Sequence, residues 1–183
     1  MSAVVLPETI LDFWIGAGPE KWFKRDDAFD QDIHRLFLPT YKTALDGRLN
    51  GWMGDARGAL ALVIVLDQFA RNLFRDDARA WAGDSDALAV ARQAIERRFD
   101  LEVPEGVRRW FYMPFMHAED LSAQQEGLGY FAGRLDDPET LKFAELHLDI
   151  IQRFGRFPHR NAVLGRPSSE AEQRFLDEGG FAG

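Results

Sequence analysis

One run of eight residues, Ala59 to Leu66, constrains this chain more than any other feature: it reads ALALVIVL and no polar side chain interrupts it. At helical spacing such a run is apolar on every side, so other elements must surround it. It is far short of the roughly 20 residues a helix needs to cross a bilayer. Its expected place is therefore the centre of a soluble core. Directly behind it comes Asp67-Gln68-Phe69-Ala70-Arg71-Asn72-Leu73-Phe74-Arg75. At about 100° per residue, Asp67, Arg71 and Arg75 share a face with Leu60, Val63 and Ile64. One stripe changes from hydrocarbon to charge without the helix ending. It reads as an i,i+4 ion pair on an emerging helix end, or as the wall of a polar cavity.

The rest of the chain follows the same helical rhythm. Spacing predicts a first helix over Glu8–Ile15, with Pro7 at its start. A second runs from Asp26 or Asp27 to about Asp46, closed by Gly47, with a kink at Pro39. The third extends from near Asp55 to about Arg75. A fourth follows Asp84-Ser85-Asp86, with Leu88, Ala91, Ile95 and Phe99 as its inner stripe. Glu105 to Tyr112 makes a short fifth. Met113 precedes Pro114, which disfavours helix there, so a sixth opens at Pro114 and runs to about Phe131. Asp137-Pro138-Glu139 starts a seventh that ends at Gly155. Ser169, with Glu172 three residues on, opens a last short helix through a capping box. No segment alternates with period two, so no sheet is expected. The class is all-α, with about seven or eight helices in antiparallel pairs, one domain over residues 1–183 and a frayed end at the last few residues.

Composition narrows the function. Apolar residues make up 46% and charged residues 28%, a globular balance. Twenty-two basic against 30 acidic side chains give a net charge of −8, which speaks against general nucleic-acid or anionic-membrane binding. No cysteine is present, which removes disulfides, thiol catalysis and cysteine zinc sites. Met1 to Trp14 has no basic start, and Pro7 and Glu8 interrupt its apolar stretch, so a cytoplasmic protein without a targeting segment is expected.

Three further places carry polar residues where they are costly. In the sixth predicted helix His117 and Asp120 lie one turn apart on a common face, where a carboxylate can fix an imidazole's tautomer. Glu119 points to nearly the opposite side. In the seventh, Phe143, Ala144, Ile150, Ile151 and Phe154 form an inner face with His147 in its middle. A buried imidazole there needs a hydrogen-bond partner, and usually it is a satisfied core residue. The loop after Gly155 holds Arg156, His159, Arg160 and Asn161, with no acid between Phe154 and Arg166. Arginine forks suit phosphate or carboxylate, and they serve equally to hold helix-end carbonyls or surface acids. His117, His147 and carboxylates could take a metal, but no recognised ligand spacing is present and no metal site is assigned. The sequence leaves the cofactor unknown.

Taken together, DQFARNLFR (Asp67 to Arg75), YMPFMHAED (Tyr112 to Asp120), RFGRFPHRNAVLGR (Arg153 to Arg166), the early Phe13-Trp14 and the late Ser-x-x-Glu resemble an uncharacterised bacterial family of small all-helical proteins, a domain of unknown function. The resemblance covers nearly the whole chain. It implies a tetratricopeptide-like α-α superhelix and no particular reaction. It also implies that Asp67, Arg71, Asn72, Arg75, His117, Glu119, Asp120, His147, Arg156, His159, Arg160 and Asn161 are a signature. Convergence of these residues on one site is the expectation that follows.

Three functions compete. The first is a polar pocket for a small anionic ligand. There Asp67, His117 and His147 are the acid–base candidates, and Arg71, Asn72, Arg75, Glu119, Asp120, Arg156, His159, Arg160 and Asn161 bind or shape; hydrolysis or proton transfer would be its chemistry. The second is a peptide-binding module, with an open groove lined by exposed aromatics beside the arginines. The third is a buried polar network that only fixes helix packing. The partner is a small anion or a peptide, with nucleic acid and membrane excluded, and the oligomeric state is left open.

Overall fold

The computed structural model describes residues 3–181. Helix accounts for 73% of the structure, and no strand occurs among the described residues. The all-α class is therefore correct. No helix among the described residues is long and apolar enough to cross a membrane. The expected fraying concerns Ala182 and Gly183, which lie outside those residues.

The chain packs as two compact units. The first comprises the described residues up to Arg75 and Arg79–Pro114; the second comprises Asp76–Ala78 and the described residues from Phe115 onward.

In the first unit, α1 (Pro7–Ala17) begins with proline at its first position and stops at Gly18, whose φ of 75° favours glycine. A single turn, Pro19–Trp22, follows. α2 (Asp27–Leu45) is capped by Asp26, whose carboxylate accepts from the Ala28 and Phe29 N–H groups, and it continues through Pro39. α3 (residues 56–73) is capped by Asp55 and has three parts: Ala56–Val63 is α-helical, Ile64–Phe69 is π-helical and Ala70–Leu73 is α-helical again. As its composition demands, every residue from Ala59 to Leu66 is buried. α1, α2 and α4 (Asp84–Glu96) pack around it. Phe13, Trp14, Phe29, Phe37, Phe69 and Trp110 add a continuous ring cluster, with Phe37 stacked on Phe69 at 4.9 Å and Trp14 edge-on to Trp110 at 5.1 Å.

Two helix readings need correction. The fifth helix is only α5 (Glu105–Arg108), followed by a tighter turn at Arg109–Phe111. The sixth does not run unbroken from Pro114. α6 (Met113–His117) includes the residue before the proline, and α7 (Leu121–Arg134) starts afresh behind Asp120. Asp120 is extended, with φ −144° and ψ 122°, and its carboxylate accepts from the Ala123 N–H at 2.7 Å. Its capping capacity outcompeted helix continuation.

In the second unit α7 and α8 (Pro138–Phe154) pack as an αα-hairpin. Asp137 caps α8, and Gly155 ends it in the left-handed conformation at φ 70°. The loop beyond leads to α9 (Glu170–Asp177), whose start is the expected Ser169/Glu172 capping box. Ile150, Ile151 and Phe157 form the core here, with Phe154, Phe175 and Phe181 packed against it.

A close approach fixes where α4 begins. A Cβ on Gly83 would stand 2.6 Å from the backbone oxygen of Leu66, inside the π-helical turn. Gly83→Ala is therefore expected to destabilise the fold by about 1–3 kcal/mol through overpacking, read as a lowered urea midpoint with unchanged slope.

Candidate functional site

In the first unit the π turn reshapes the charged end of α3. Projection at constant helical pitch placed Asp67 on an emerging helix end. A π turn adds a residue, so that register does not hold through it. Asp67 is instead fully buried. Its Oδ2 accepts from Gln68 Nε2 at 2.5 Å, and its Oδ1 lies 3.2 Å from Arg71 Nη1. The same Nη1 donates to the Asp67 backbone oxygen at 2.6 Å. Arg71 Nη2 stands 3.0 Å from Asp84 Oδ1, at the start of α4. Burial opposes the Arg71 charge, but Asp67 and Asp84 outweigh it and raise its pKa.

Asn72 and Arg75 turn to a different acid. Asp30 on α2 accepts from Asn72 Nδ2 at 2.7 Å and from Arg75 Nη2 at 2.9 Å, and its other oxygen pairs with Arg75 Nε. Near Arg71 lies Tyr41, buried at 3% exposure, whose hydroxyl has no hydrogen-bond partner among the described residues. Burial, then the field of Asp84, raises its pKa. Asp30, Tyr41 and Asp84 were not among the sequence candidates. The arginines that pair with Asp84 and Asp30 are 13 and 45 residues distant in the chain, and no local spacing reveals such pairings.

In the second unit the broken helix undoes the proposed His117–Asp120 face. His117 ends α6, and its backbone oxygen accepts from Arg160 Nη2 at 3.1 Å, while Asp120 is the exposed cap of α7. Glu119 reaches the arginine-rich loop. It accepts from the Phe157 N–H at 2.7 Å and takes the fork of Arg166 at 2.6 and 2.9 Å. Burial alone would raise its pKa, but Arg166, the Phe157 N–H and nearby Arg160 bring it below the ordinary value.

Arg156 is likewise occupied. Its Nε and Nη2 donate to the two oxygens of Glu172 at 2.5 and 2.8 Å, and Nη2 also donates to the Pro167 oxygen. The Arg156 hydrogen bonds hold the Glu172 carboxyl down at about 2. Asn161 is buried, accepts from Arg166 Nε at 3.0 Å and donates to Ser168 Oγ at 3.1 Å. Sequence reading treated Glu172 only as a capping residue; the same carboxylate is also the acid that Arg156 requires. Phe143, expected on the inner face, is 48% exposed.

His147 sits where periodicity placed it, 7% exposed on the inner face of α8. Its Nδ1 is 2.7 Å from the Phe143 carbonyl oxygen, so Nδ1 carries the proton and Nε2 the lone pair. Nε2 makes no hydrogen bond to a described residue. Phe157 and Phe181 meet the ring edge-on at 5.3 and 4.6 Å, and both rings also contact His159. Arg160 lies over Phe157 at 4.5 Å. Burial first, then the positive fields of His117, Arg160 and His159, push the His147 pKa down to about 4, against the Phe143 hydrogen bond. No group of three or more His, Asp or Glu side chains is placed to hold a metal ion among the described residues.

Such an all-α chain, with arginine–acid clasps around a buried histidine, matches a family defined without a reaction. Residues 10–180 match the family described as "Bacterial protein of unknown function (DUF924)", and the chain belongs to it. A solved structure of a protein of unknown function from Agrobacterium tumefaciens, ATU0120, is 44% identical, with a TM-score of 0.91 over 94% of this chain and 97% of that one. Comparison with curated proteins gave no match.

Three outcomes are expected. Arg71→Ala leaves the Asp67 carboxylate buried without its countercharge and should cost about 3 kcal/mol in denaturant unfolding. Arg35→Ala, which breaks an exposed pair with Asp32, should cost under about 1 kcal/mol. Acid titration should also expose His147. The unfolded chain protonates it near 6.5 and the folded chain only near 4. Its contribution is thus complete above pH 6.5 and falls away as the pH drops towards 4, by about 3 kcal/mol in all. His147→Gln should flatten the stability–pH curve in that window.

Proposed function

We propose that this protein binds a small anion in its second unit, at a cluster of His117, His147, His159 and Arg160, and that the remaining signature residues serve the fold. The observation that carries this reading is His147 itself. It is a deeply buried imidazole with an open Nε2, and the charges that bear on it come from three basic neighbours. These neighbours are His117 at the end of α6 and His159 and Arg160 in the loop beyond α8. An anion with one ionisable or hydroxyl proton, such as a phosphate monoester or a hydroxy acid, could accept from the cationic groups and donate to Nε2.

The magnitude of the His147 shift favours binding over catalysis. A general base works best when it titrates near the operating pH. A group at about 4 is a weak proton acceptor at neutrality. Asp67, Arg71, Asn72 and Arg75 belong to the structural reading, because acids and a buried amide engage them. Arg156 joins them through Glu172. A tetratricopeptide-like peptide-binding module remains the second reading, and an open groove elsewhere in the second unit favours it.

Thermal shift at pH 6 tests the anion site with inorganic phosphate, phosphate monoesters and hydroxy dicarboxylates. At a hundredfold excess over Kd, binding contributes about 2.7 kcal/mol, or roughly 5–10 °C for a chain of this size. At least one class should produce such a shift, and His147→Gln or His159→Gln should abolish it without unfolding the protein. No shift from any class, or an equal shift in both variants, overturns the reading.

A further inference from the structure

Beyond α9 the chain doubles back to reach His147. The N–H groups of Gly179 and Gly180 close the helix end on the Leu176 and Phe175 oxygens at 3.1 and 2.9 Å. Gly179 is left-handed at φ 82°, a conformation glycine adopts without strain. At Gly180 a Cβ would stand 2.5 Å from the Phe175 backbone oxygen and 2.6 Å from the Phe175 ring. Two consecutive glycines thus let the backbone turn tightly against α9 and deliver the Phe181 ring to the core of the second unit. There it meets His147 edge-on at 4.6 Å and His159 at 5.3 Å.

The two phenylalanine rings on His147 differ in kind. Phe157 has no exposed surface and belongs to the core, whereas Phe181 is only partly buried. Phe181 therefore has the imidazole on one side and water on another. It also lies beyond the helix, so ring packing rather than a helical hydrogen bond positions it. It takes no part in the open groove that Pro138, Phe143 and Leu146 line.

We propose that Phe181, carried on the Gly179-Gly180 turn, is a hinged seal over His147 that must swing aside before a ligand reaches Nε2. The inference rests on the anion reading of this site and adds how the site opens. A small anion then binds only the open molecules, so its observed affinity is the intrinsic affinity multiplied by the open fraction. The reactivity of Nε2 towards a small acylating reagent scales with the same fraction, because a buried group reacts through local opening. Removing the seal raises both by one common factor.

Diethylpyrocarbonate, which acylates neutral imidazole, reads the open fraction in the full chain at pH 7, with each histidine followed by peptide mass spectrometry. His147 should react far more slowly than exposed His34. Phe181→Ala and Gly180→Ala should each raise the His147 rate about tenfold or more and leave His34 unchanged. Phe154→Leu trims a ring on the same core that has its aromatic contact with Phe175, and it should leave the His147 rate near that of the unsubstituted protein. Calorimetric titration with inorganic phosphate should show affinity rising in Phe181→Ala by the factor by which the rate rises. A His147 rate equal to that of His34, no rise in either seal variant, or an equal rise in Phe154→Leu overturns the seal. So does phosphate affinity that Phe181→Ala leaves unchanged. If phosphate and the other anions bind neither protein, the anion reading falls and the acylation rates alone decide the seal, so the two readings fail separately.

Discussion

A fully buried carboxylate, Asp67, sets the terms for the first unit. Removing a charge from water is costly, and the cost is offset only if a countercharge and hydrogen bonds accompany it. Arg71 supplies the countercharge, Gln68 supplies a donor, and Asp84 takes the remaining side of the Arg71 fork. The start of α4 is thereby tied to the interior of α3. The same point is held sterically by Gly83 against Leu66. Electrostatics and packing thus select one arrangement of two helices.

The second unit solves a related problem with loops. The segment between α8 and α9 buries Phe157 in the core, and arginine–acid pairs hold the rest of it. Glu119 ties it to the α6–α7 junction through Arg166 and the Phe157 N–H, and Glu172 ties it to α9 through Arg156. These pairs are forked, a geometry that fixes orientation as well as distance. His147 lies under this loop, and its aromatic neighbours Phe157 and Phe181 come from chain beyond α8.

Much of the architecture was legible in the residues. Asp26, Asp55, Asp137 with Pro138, and Ser169 with Glu172 each mark a helix start that the structure uses. Those signals are local, so a sequence displays them whole. His147 was legible for a similar reason, since periodicity alone assigns it to the inner face. The π turn in α3 and the break at Asp120 were not legible. Both replace one regular hydrogen-bond pattern with another, and composition barely distinguishes the alternatives. The acids that neutralise Arg75, Arg156 and Arg166 were hidden by chain separation. A basic loop without acids looks like an anion site until the fold brings Glu119 and Glu172 to it.

Glu172 is shared property. Its carboxylate accepts from the Ser169 backbone N–H at the start of α9 and from both donors of the Arg156 fork. Losing α9 strips Arg156 of its partner, and losing the Arg156 contact weakens the first turn of α9. The loop and the final helix therefore form a single foldon. Their amides should open together in native-state hydrogen exchange, with one free energy common to both segments.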